Sequence, residues 1–289
     1  MHNDLIPVPN LFIIGASKCG TTSLYYLLKE HKKCCMSSIK EPLYFNSRGK
    51  TKDWYLRLFS ACQGSTVIGE GSPIYSETTY FPSVPGKIFE FNPSAKIVYM
   101  VRHPYERLKS VWKQTLSTGH FYEKKYYHQK MPLNFQKAII QYPPFLEACK
   151  YWTHLQNYRK YFPDENIKII FFEDFVSNTK SVMADLACFL GVSPFDDVIL
   201  DAEQKNSSKE KTVAGPFDYL FRKIPIINLL YYKFVPEGAK TFLRNKLTIP
   251  VPSDPCIKET TKAEIKKTLE SEIQALFAYA KKTSDFWEF

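Results

Sequence analysis

Short apolar runs alternate with amphipathic stretches along most of the chain, and this alternation predicts strands that are followed by helices. The segments at residues 11–14, 96–101 and 166–175 are mainly apolar, as expected for parallel strands that are buried on both faces. Another apolar run, Val67-Ile-Gly-Glu70, ends on a carboxylate. The pattern predicts an α/β fold with a central parallel sheet flanked by helices.

Two helices have clear end signals in the sequence. The first is predicted from about Thr22 to Glu30, with one of the hydroxyl residues at positions 21–23 as its N-cap. The second is predicted to begin after Ser177 or Asn178 and to stop at Gly191, because glycine readily adopts the left-handed conformation that ends a helix.

Length and composition are those of a globular protein. The chain has 289 residues, of which 44% are hydrophobic and 24% charged, so one compact domain over residues 1–289 is the default. The opening residues lack the pattern of a signal peptide, and no apolar run approaches the roughly 20 residues that span a bilayer. We therefore expect a soluble, cytoplasmic protein without stable membrane insertion.

The seven cysteines form no C-x-x-C pair and have no histidine partner at zinc spacing, so no metal site is expected. Their odd number and scattered positions favour reduced thiols. Even the adjacent Cys34 and Cys35 are interpreted as small buried residues.

A net charge of +10 is compatible with nucleic acid, an anionic membrane surface or a small polyanionic ligand. Lysine and arginine are spread along the chain, and no helix combines a basic face with interleaved aromatic residues. A small anionic ligand is therefore favoured, and no nucleic-acid partner is expected.

The strongest motif is Leu11-Phe-Ile-Ile-Gly15-Ala-Ser-Lys18-Cys-Gly20-Thr-Thr-Ser23, in which a strand runs through a small-residue loop into a helix. Backbone N–H groups of such a loop and of the first helical turn converge on an anion, and Lys18 adds a positive charge. Gly15 and Gly20 have the spacing of a Walker A loop, but the lysine lies inside the loop, and no strand clearly ends in a magnesium-binding Asp.

A second motif lies at the predicted strand 96–101 and the helix after it. Arg102 sits at the carboxyl end of the strand, where open α/β sheets bind ligands, and its guanidinium can donate two hydrogen bonds to a phosphate. Ser110, about two turns into the helix, can add a hydroxyl group. Arg107 is interpreted as a solvated helix charge.

Residues 15–24 resemble the phosphosulfate loop of sulfotransferases that use 3′-phosphoadenosine-5′-phosphosulfate (PAPS) as donor. The resemblance implies that the loop holds the 5′-phosphosulfate and that Lys18 stabilises charge on the leaving phosphate. The residues implied in donor binding here are Lys18, Cys19, Gly20, Thr21, Thr22 and Ser23.

Residues 39–46, Ile-Lys-Glu-Pro-Leu-Tyr-Phe-Asn, followed by Asp-Trp-Tyr at 53–55, are similar to a segment of the heparan-sulfate-type branch of this family. The resemblance implies that Glu41 is the catalytic base. A carboxylate beside the acceptor hydroxyl can take its proton as the oxygen attacks sulfur.

Residues 67–75 also resemble a segment of that branch, with one departure. Gly71 stands where those members carry a lysine that helps to neutralise the sulfate, so this charge has to come from elsewhere or the acceptor differs in kind. Glu70 is the alternative base, although a structural hydrogen-bonding role is the plainer interpretation.

The pair Arg102 and Ser110 resembles the 3′-phosphate site of the family. In the family a basic residue of a later loop closes over the nucleotide, and Lys209 or Lys211 is the candidate here. The resemblance implies a single P-loop-like sulfotransferase domain. Residues 114–144 are candidates for an acceptor-site segment and residues 205–250 for a nucleotide-covering segment.

The implied reaction is direct in-line transfer of the sulfuryl group from PAPS to a hydroxyl or amine, with no metal required. The acceptor is a carbohydrate or a small molecule such as a natural product or lipid. Two alternatives are a P-loop kinase or other NTPase, which would use magnesium and ATP, and a nucleotide-binding protein that transfers nothing.

Overall fold

The computed structural model describes residues 7–118, 131–196, 255 and 257–288. Its centre is a five-stranded sheet of order β2-β3-β1-β4-β5, in which every neighbouring pair is parallel. This confirms the predicted α/β fold. The strands are β1 (Leu11–Gly15), β2 (Cys34–Met36), β3 (Val67–Gly71), β4 (Lys96–Val101) and β5 (Ile167–Phe171).

Helices connect the strands and flank the sheet. In the described part of the chain they are α1 (Thr21–Glu30), α2 (Lys52–Arg57), α3 (Val84–Phe91), α4 (Pro104–Thr118), α5 (Phe135–Gln141), α6 (Pro144–Glu147), α7 (Tyr151–Arg159), α8 (Phe172–Ser177), α9 (Thr179–Leu190) and α10 (Glu259–Ala280), with 3₁₀ turns at Pro73–Ser76 and Asp164–Asn166. None of these helices is long and apolar enough to cross a membrane.

The central strands are apolar because both faces of the sheet are covered. Leu11, Phe12, Ile13 and Ile14 of β1 are fully buried, as are all residues of β4 after Lys96. Burying each such side chain contributes roughly 1.5–3 kcal/mol. Since all five strands are parallel, their carboxyl ends lie at the same edge of the sheet, and the segments that follow them meet there.

The helix ends test two sequence predictions. The Asn178 side chain accepts a hydrogen bond from the Ser181 N–H, and Gly191 ends α9 with φ +73°, as predicted. At α1, however, Gly20 occupies the N-cap position in the left-handed conformation and, as a glycine, has no side chain to cap the helix. The prediction of a hydroxyl cap from positions 21–23 was therefore wrong.

The described residues divide into two compact units. Those within residues 1–107, 147–208 and 266–289 form the first, which holds the whole sheet, and those within 108–146 and 209–265 form the second. In the second unit, the Trp112 indole N–H donates to the Pro132 carbonyl at 2.9 Å and its ring packs edge-on against Phe135. The single domain over residues 1–289 stays a prediction.

Cys35 and Cys62 form a disulfide, so the prediction of reduced thiols was wrong for this pair. Cys35 lies in β2 and Cys62 in the turn after α2, and the fold brings their Cα atoms to 5.3 Å, within the usual range for a bridge. The other described cysteines form no disulfide; Cys19, Cys34 and Cys149 are buried and Cys188 is exposed.

Candidate active site

The loop between β1 and α1 has a tightly constrained backbone. The N–H of Ala16 donates to the Met100 carbonyl of β4 at 2.6 Å, and the N–H of Cys19 donates back to Ala16 at 3.2 Å. Gly15 approaches the 3₁₀ turn after β3 so closely that an added Cβ would lie 2.1 Å from Ser76 Oγ. Only glycine fits at this position.

The end of the loop that leads into α1 is electropositive. Lys18 adopts φ +71° and Gly20 φ +88°, and α1 begins directly afterwards at Thr21. The first N–H groups of a helix have no carbonyl partner within it and carry a partial positive charge. Because no side chain caps α1 and Lys18 lies in the same loop, the geometry is suited to an oxyanion such as phosphate.

Arg107 supports this loop from inside the protein. It is only 1% exposed, and its Nε–H donates to the Ser17 carbonyl oxygen at 3.0 Å. Its Nη1 donates to Cys149 Sγ at 3.3 Å, and its Nη2 lies 3.9 Å from a carboxylate oxygen of Glu77. The interpretation of Arg107 as a solvated charge was wrong, because it follows Pro104 at i+3 on the buried face of α4.

Arg102 lies beside the loop at the end of β4. Its Nη1 is 3.5 Å from the Lys18 carbonyl oxygen, its guanidinium stacks 4.4 Å from the centre of the Phe172 ring, and its backbone carbonyl accepts from the Tyr151 hydroxyl at 2.8 Å. Its Nε is buried and has no hydrogen-bond partner among the residues that the structure describes. The arginine is thus placed as a half-buried cation next to Lys18.

Glu173 fixes the turn that follows Arg102. One carboxylate oxygen accepts the His103 backbone N–H at 2.9 Å, and the other accepts the Trp287 indole N–H at 3.1 Å. The second of these bonds holds the C-terminal segment beside the turn.

Glu41 lies in the segment that follows β2. The segment has an irregular backbone, with φ +61° at Glu41 and φ +54° at Leu43. The Glu41 side chain is 43% exposed and forms an ion pair with Lys40, and the Lys50 ammonium donates to the Pro42 carbonyl. The carboxylate is thus accessible from solvent and close to positive charge.

Glu70, the alternative base, is fully buried near the end of β3. Its Oε1 accepts hydrogen bonds from the hydroxyl groups of Tyr55 and Tyr75, at 2.7 and 3.2 Å, and its Oε2 accepts from Ser72 at 2.6 Å. Burial raises its pKa to about 7 even though these donors and Lys50 favour the charged form. Three hydroxyl donors and no exposure fit the hydrogen-bonding role better than contact with an acceptor.

The residues predicted after three different strands all follow strand ends at the same edge of the sheet. Lys18 follows β1, Glu41 follows β2 and Arg102 follows β4, all at the carboxyl edge. Ser110 lies on α4 in the second unit, and its pairing with Arg102 stays a prediction. Lys209 and Lys211 lie outside the described residues. Among the residues that are described, no group of histidine, cysteine, aspartate and glutamate could hold a metal ion.

A phosphate-type loop after the first strand of a parallel sheet defines a P-loop-like α/β protein, with a loop suited to an anion at the carboxyl edge. The family model for the sulfotransferase domain matches residues 8–218, and the chain belongs to this family. A solved sulfotransferase from Alicyclobacillus acidocaldarius has the same fold, with a TM-score of 0.64 and 20% identity over 98% of this chain and 100% of that one.

Curated relatives support the predicted family. The membrane-associated sulfotransferase kil1 of Dictyostelium discoideum is 30% identical over 156 residues, which cover 52% of this chain and 31% of that protein. Human heparan sulfate glucosamine 3-O-sulfotransferase 5 is 28% identical over 175 residues, covering 59% and 49%. The chain thus spans at most about half the length of these relatives. The second agrees with the resemblance to the heparan-sulfate-type branch.

Proposed function

We propose that the protein transfers the sulfuryl group of PAPS to a hydroxyl or amine group of a carbohydrate or small-molecule acceptor. The observation that carries the proposal is the contact between two anion-binding elements, since Arg102 at the end of β4 reaches the Lys18 carbonyl in the loop after β1. PAPS carries two separate anionic groups, a 5′-phosphosulfate and a 3′-phosphate. The uncapped start of α1 with Lys18 suits the first, and the arginine suits the second.

The loop residues Gly20, Thr21, Thr22 and Ser23 would hold the 5′-phosphosulfate with their backbone N–H groups, and Thr22, which is exposed, could add its hydroxyl. Cys19, whose N–H already donates to Ala16, would line the same loop. Arg102 and Ser110 would bind the 3′-phosphate, and Lys209 would cover the nucleotide. Their roles rest on the family resemblance together with the placement of the loop and of Arg102.

In the proposed reaction, the acceptor oxygen or nitrogen attacks sulfur as the bond between sulfur and the bridging phosphate oxygen breaks. Glu41 takes the proton that the acceptor loses, and 3′,5′-adenosine bisphosphate leaves with the electron pair of the broken bond. Lys18 stabilises the negative charge that develops on the leaving phosphate. The exposure of Glu41 supports its role because a base has to meet the acceptor.

The acceptor class is proposed from the relatives and from charge. Two of the relatives are, by name, a heparan sulfate glucosamine 3-O-sulfotransferase and carbohydrate sulfotransferase 15. Lys40 and Lys50 lie next to the proposed base, and they would favour an acceptor that carries negative charge. A natural product or lipid with an anionic group satisfies the same chemistry.

The cytoplasmic location predicted from the sequence stays untested, and the Cys35–Cys62 disulfide argues for another one. Structural disulfides persist mainly in oxidising compartments. We therefore favour an oxidising compartment for this domain. Mass spectrometry after blocking of free thiols in the native cell would decide, because a cytoplasmic protein would carry both thiols in blocked form.

The test is incubation with sulfur-labelled PAPS and a panel of sugars, lipids and phenolic acceptors, scored by mass gain of one sulfuryl group. Lys18→Ala and Glu41→Gln should each lower turnover at least about a hundredfold. Glu41→Gln should leave bisphosphate affinity nearly unchanged, and Glu165→Gln, at an exposed carboxylate in the Asp164–Asn166 turn, is the matched control.

Two results would overturn the proposed transfer, and a third would overturn only the assignment of the base. Bisphosphate binding without transfer to any acceptor would indicate a non-catalytic binding protein. Consumption of ATP with magnesium and no use of PAPS would indicate a P-loop kinase or NTPase. Unchanged turnover in Glu41→Gln would exclude Glu41 as the base.

A further inference from the structure

We infer that the buried Glu70 is a positioning residue that holds residues 41–45, the Glu41 segment, in place through two hydroxyl groups. The inference rests on the proposed function, in which Glu41 accepts the acceptor proton. Glu70 is 0% exposed and follows Gly69 in β3, so it does not contact an acceptor itself. Its carboxylate is instead connected to the backbone of the segment through the hydroxyl groups of two other residues.

The first connection runs through Ser72. The backbone N–H of Leu43 donates to Ser72 Oγ at 3.2 Å, and the Ser72 hydroxyl donates to Glu70 Oε2 at 2.6 Å. A hydroxyl group has one proton and two lone pairs. Because that proton is committed to the carboxylate, a lone pair is left to accept from Leu43.

The second connection runs through Tyr75 in the 3₁₀ turn. The backbone N–H of Phe45 donates to the Tyr75 hydroxyl oxygen at 3.3 Å, and that hydroxyl donates to Glu70 Oε1 at 3.2 Å. Two amides of one segment are thus each linked, through one hydroxyl group, to a different oxygen of the same carboxylate. Buried hydrogen-bond chains of this kind polarise one another and fix a single arrangement.

The Glu41 segment needs such support because its backbone is otherwise unfavourable. Glu41 and Leu43 both have positive φ values, which are unfavourable for residues other than glycine. No strand or helix includes the segment. Fixing Leu43 and Phe45 on either side of Tyr44 therefore restricts the direction in which the preceding Glu41 carboxylate can point.

Tyr55 provides the control that separates positioning from mere stability. Its hydroxyl also donates to Glu70 Oε1, at 2.7 Å, and it is equally buried, but it is not one of the two connections to Leu43 and Phe45. Its ring stacks on Tyr44 at 4.3 Å, and Tyr55→Phe keeps that ring. Tyr55→Phe and Tyr75→Phe thus each remove one hydroxyl group that donates to the same carboxylate oxygen, Glu70 Oε1.

The experiment compares Tyr75→Phe, Ser72→Ala and Tyr55→Phe in the full chain. Amide hydrogen exchange should speed up about tenfold or more at Phe45 in Tyr75→Phe and at Leu43 in Ser72→Ala, and at neither amide in Tyr55→Phe. The kcat for sulfuryl transfer should fall about tenfold in the first two variants, while bisphosphate affinity changes less than about twofold.

Equal exchange rates at Leu43 and Phe45 in all three variants would overturn the inference, as would a kcat that follows the free energy of unfolding across the set. The exchange measurement needs no substrate. A wild-type protein that transfers no sulfuryl group but shows the expected exchange pattern would therefore count against the proposed function and not against the Glu70 connections.

Discussion

Arg107 Nε lies 3.0 Å from the Ser17 carbonyl oxygen, so a cation that is almost fully buried fixes the residue next to Lys18. A buried guanidinium is expensive to desolvate and persists where it has several partners. Here the partners belong to the loop, to Cys149 and to Glu77. The loop conformation is therefore maintained from the interior before any ligand binds.

Arg107→Lys should weaken bisphosphate binding about tenfold, because a lysine keeps the charge but cannot reproduce the planar set of donors to Ser17 and Cys149. Isothermal titration calorimetry measures the change. Arg159→Lys makes the same substitution in an exposed ion pair with Asp164 and should leave affinity unaltered. Equal affinities in the two variants would contradict a role of Arg107 in the loop.

Gly20→Ala should damage the donor site more than the fold. An added Cβ would lie 2.8 Å from the Phe172 ring, which stacks on Arg102, and Gly20 has φ +88°. Gly64→Ala is the matched control, since Gly64 has φ +78° and open space around it. Both variants should lose about 1 kcal/mol in urea unfolding because of the positive φ, and Gly20→Ala should lose more because of the clash. Only Gly20→Ala should lose bisphosphate affinity, by about tenfold or more.

Removing the disulfide with Cys35→Ala and Cys62→Ala should lower the free energy of unfolding by about 3 kcal/mol, because the bridge closes a long loop in the unfolded chain. Urea unfolding of the double variant should match that of reduced wild-type protein. Cys188→Ala, at an exposed free thiol, should change nothing. Insensitivity of the wild type to a reductant would indicate that the bridge is not formed in solution.

Glu70 should make stability fall as the pH rises. Burial raises its pKa from 4.5 to about 7, so between these values the unfolded chain releases a proton that the folded chain keeps. The loss of folding stability that is due to Glu70 should be complete above about pH 7. Unfolding of the wild type and Glu70→Gln at pH 5 and pH 8 measures it, and the stability of the wild type relative to the variant should be lower at pH 8. The opposite slope would mean that the folded site favours the charged carboxylate. Hydrogen bonds from Ser72, Tyr55 and Tyr75 and the charge of Lys50 favour the ionised carboxylate and partly offset the effect of burial on its pKa.

The anion loop and the parallel sheet could be predicted because their signals are local. Glycine spacing, a lysine and an adjoining apolar run specify the loop within a dozen residues, and the position of Arg102 follows from the end of β4. The buried state of Arg107 was missed because a charged residue on a helix is usually solvated. The sequence signal for its burial was its position three residues after Pro104, which places both residues on the same face of α4.

The Cys35–Cys62 bridge and the contacts of Glu70 could not be predicted in the same way. Both join residues that are distant along the chain and meet only once β2 and β3 have paired. Sequence spacing does not show which of several cysteines or hydroxyl residues will be neighbours. The fold supplies these contacts, whereas the motif supplies only the residue types.

The missing side-chain cap on α1 has a thermodynamic consequence. An anion bound at Gly20 would accept hydrogen bonds from the unpaired N–H groups of the first turn of α1. Ligand binding would therefore also stabilise the folded state. A ligand at one hundred times its Kd stabilises the native state by roughly 2.7 kcal/mol. The folded fraction of this protein, and with it its lifetime against proteolysis, would then rise and fall with the cellular supply of its nucleotide.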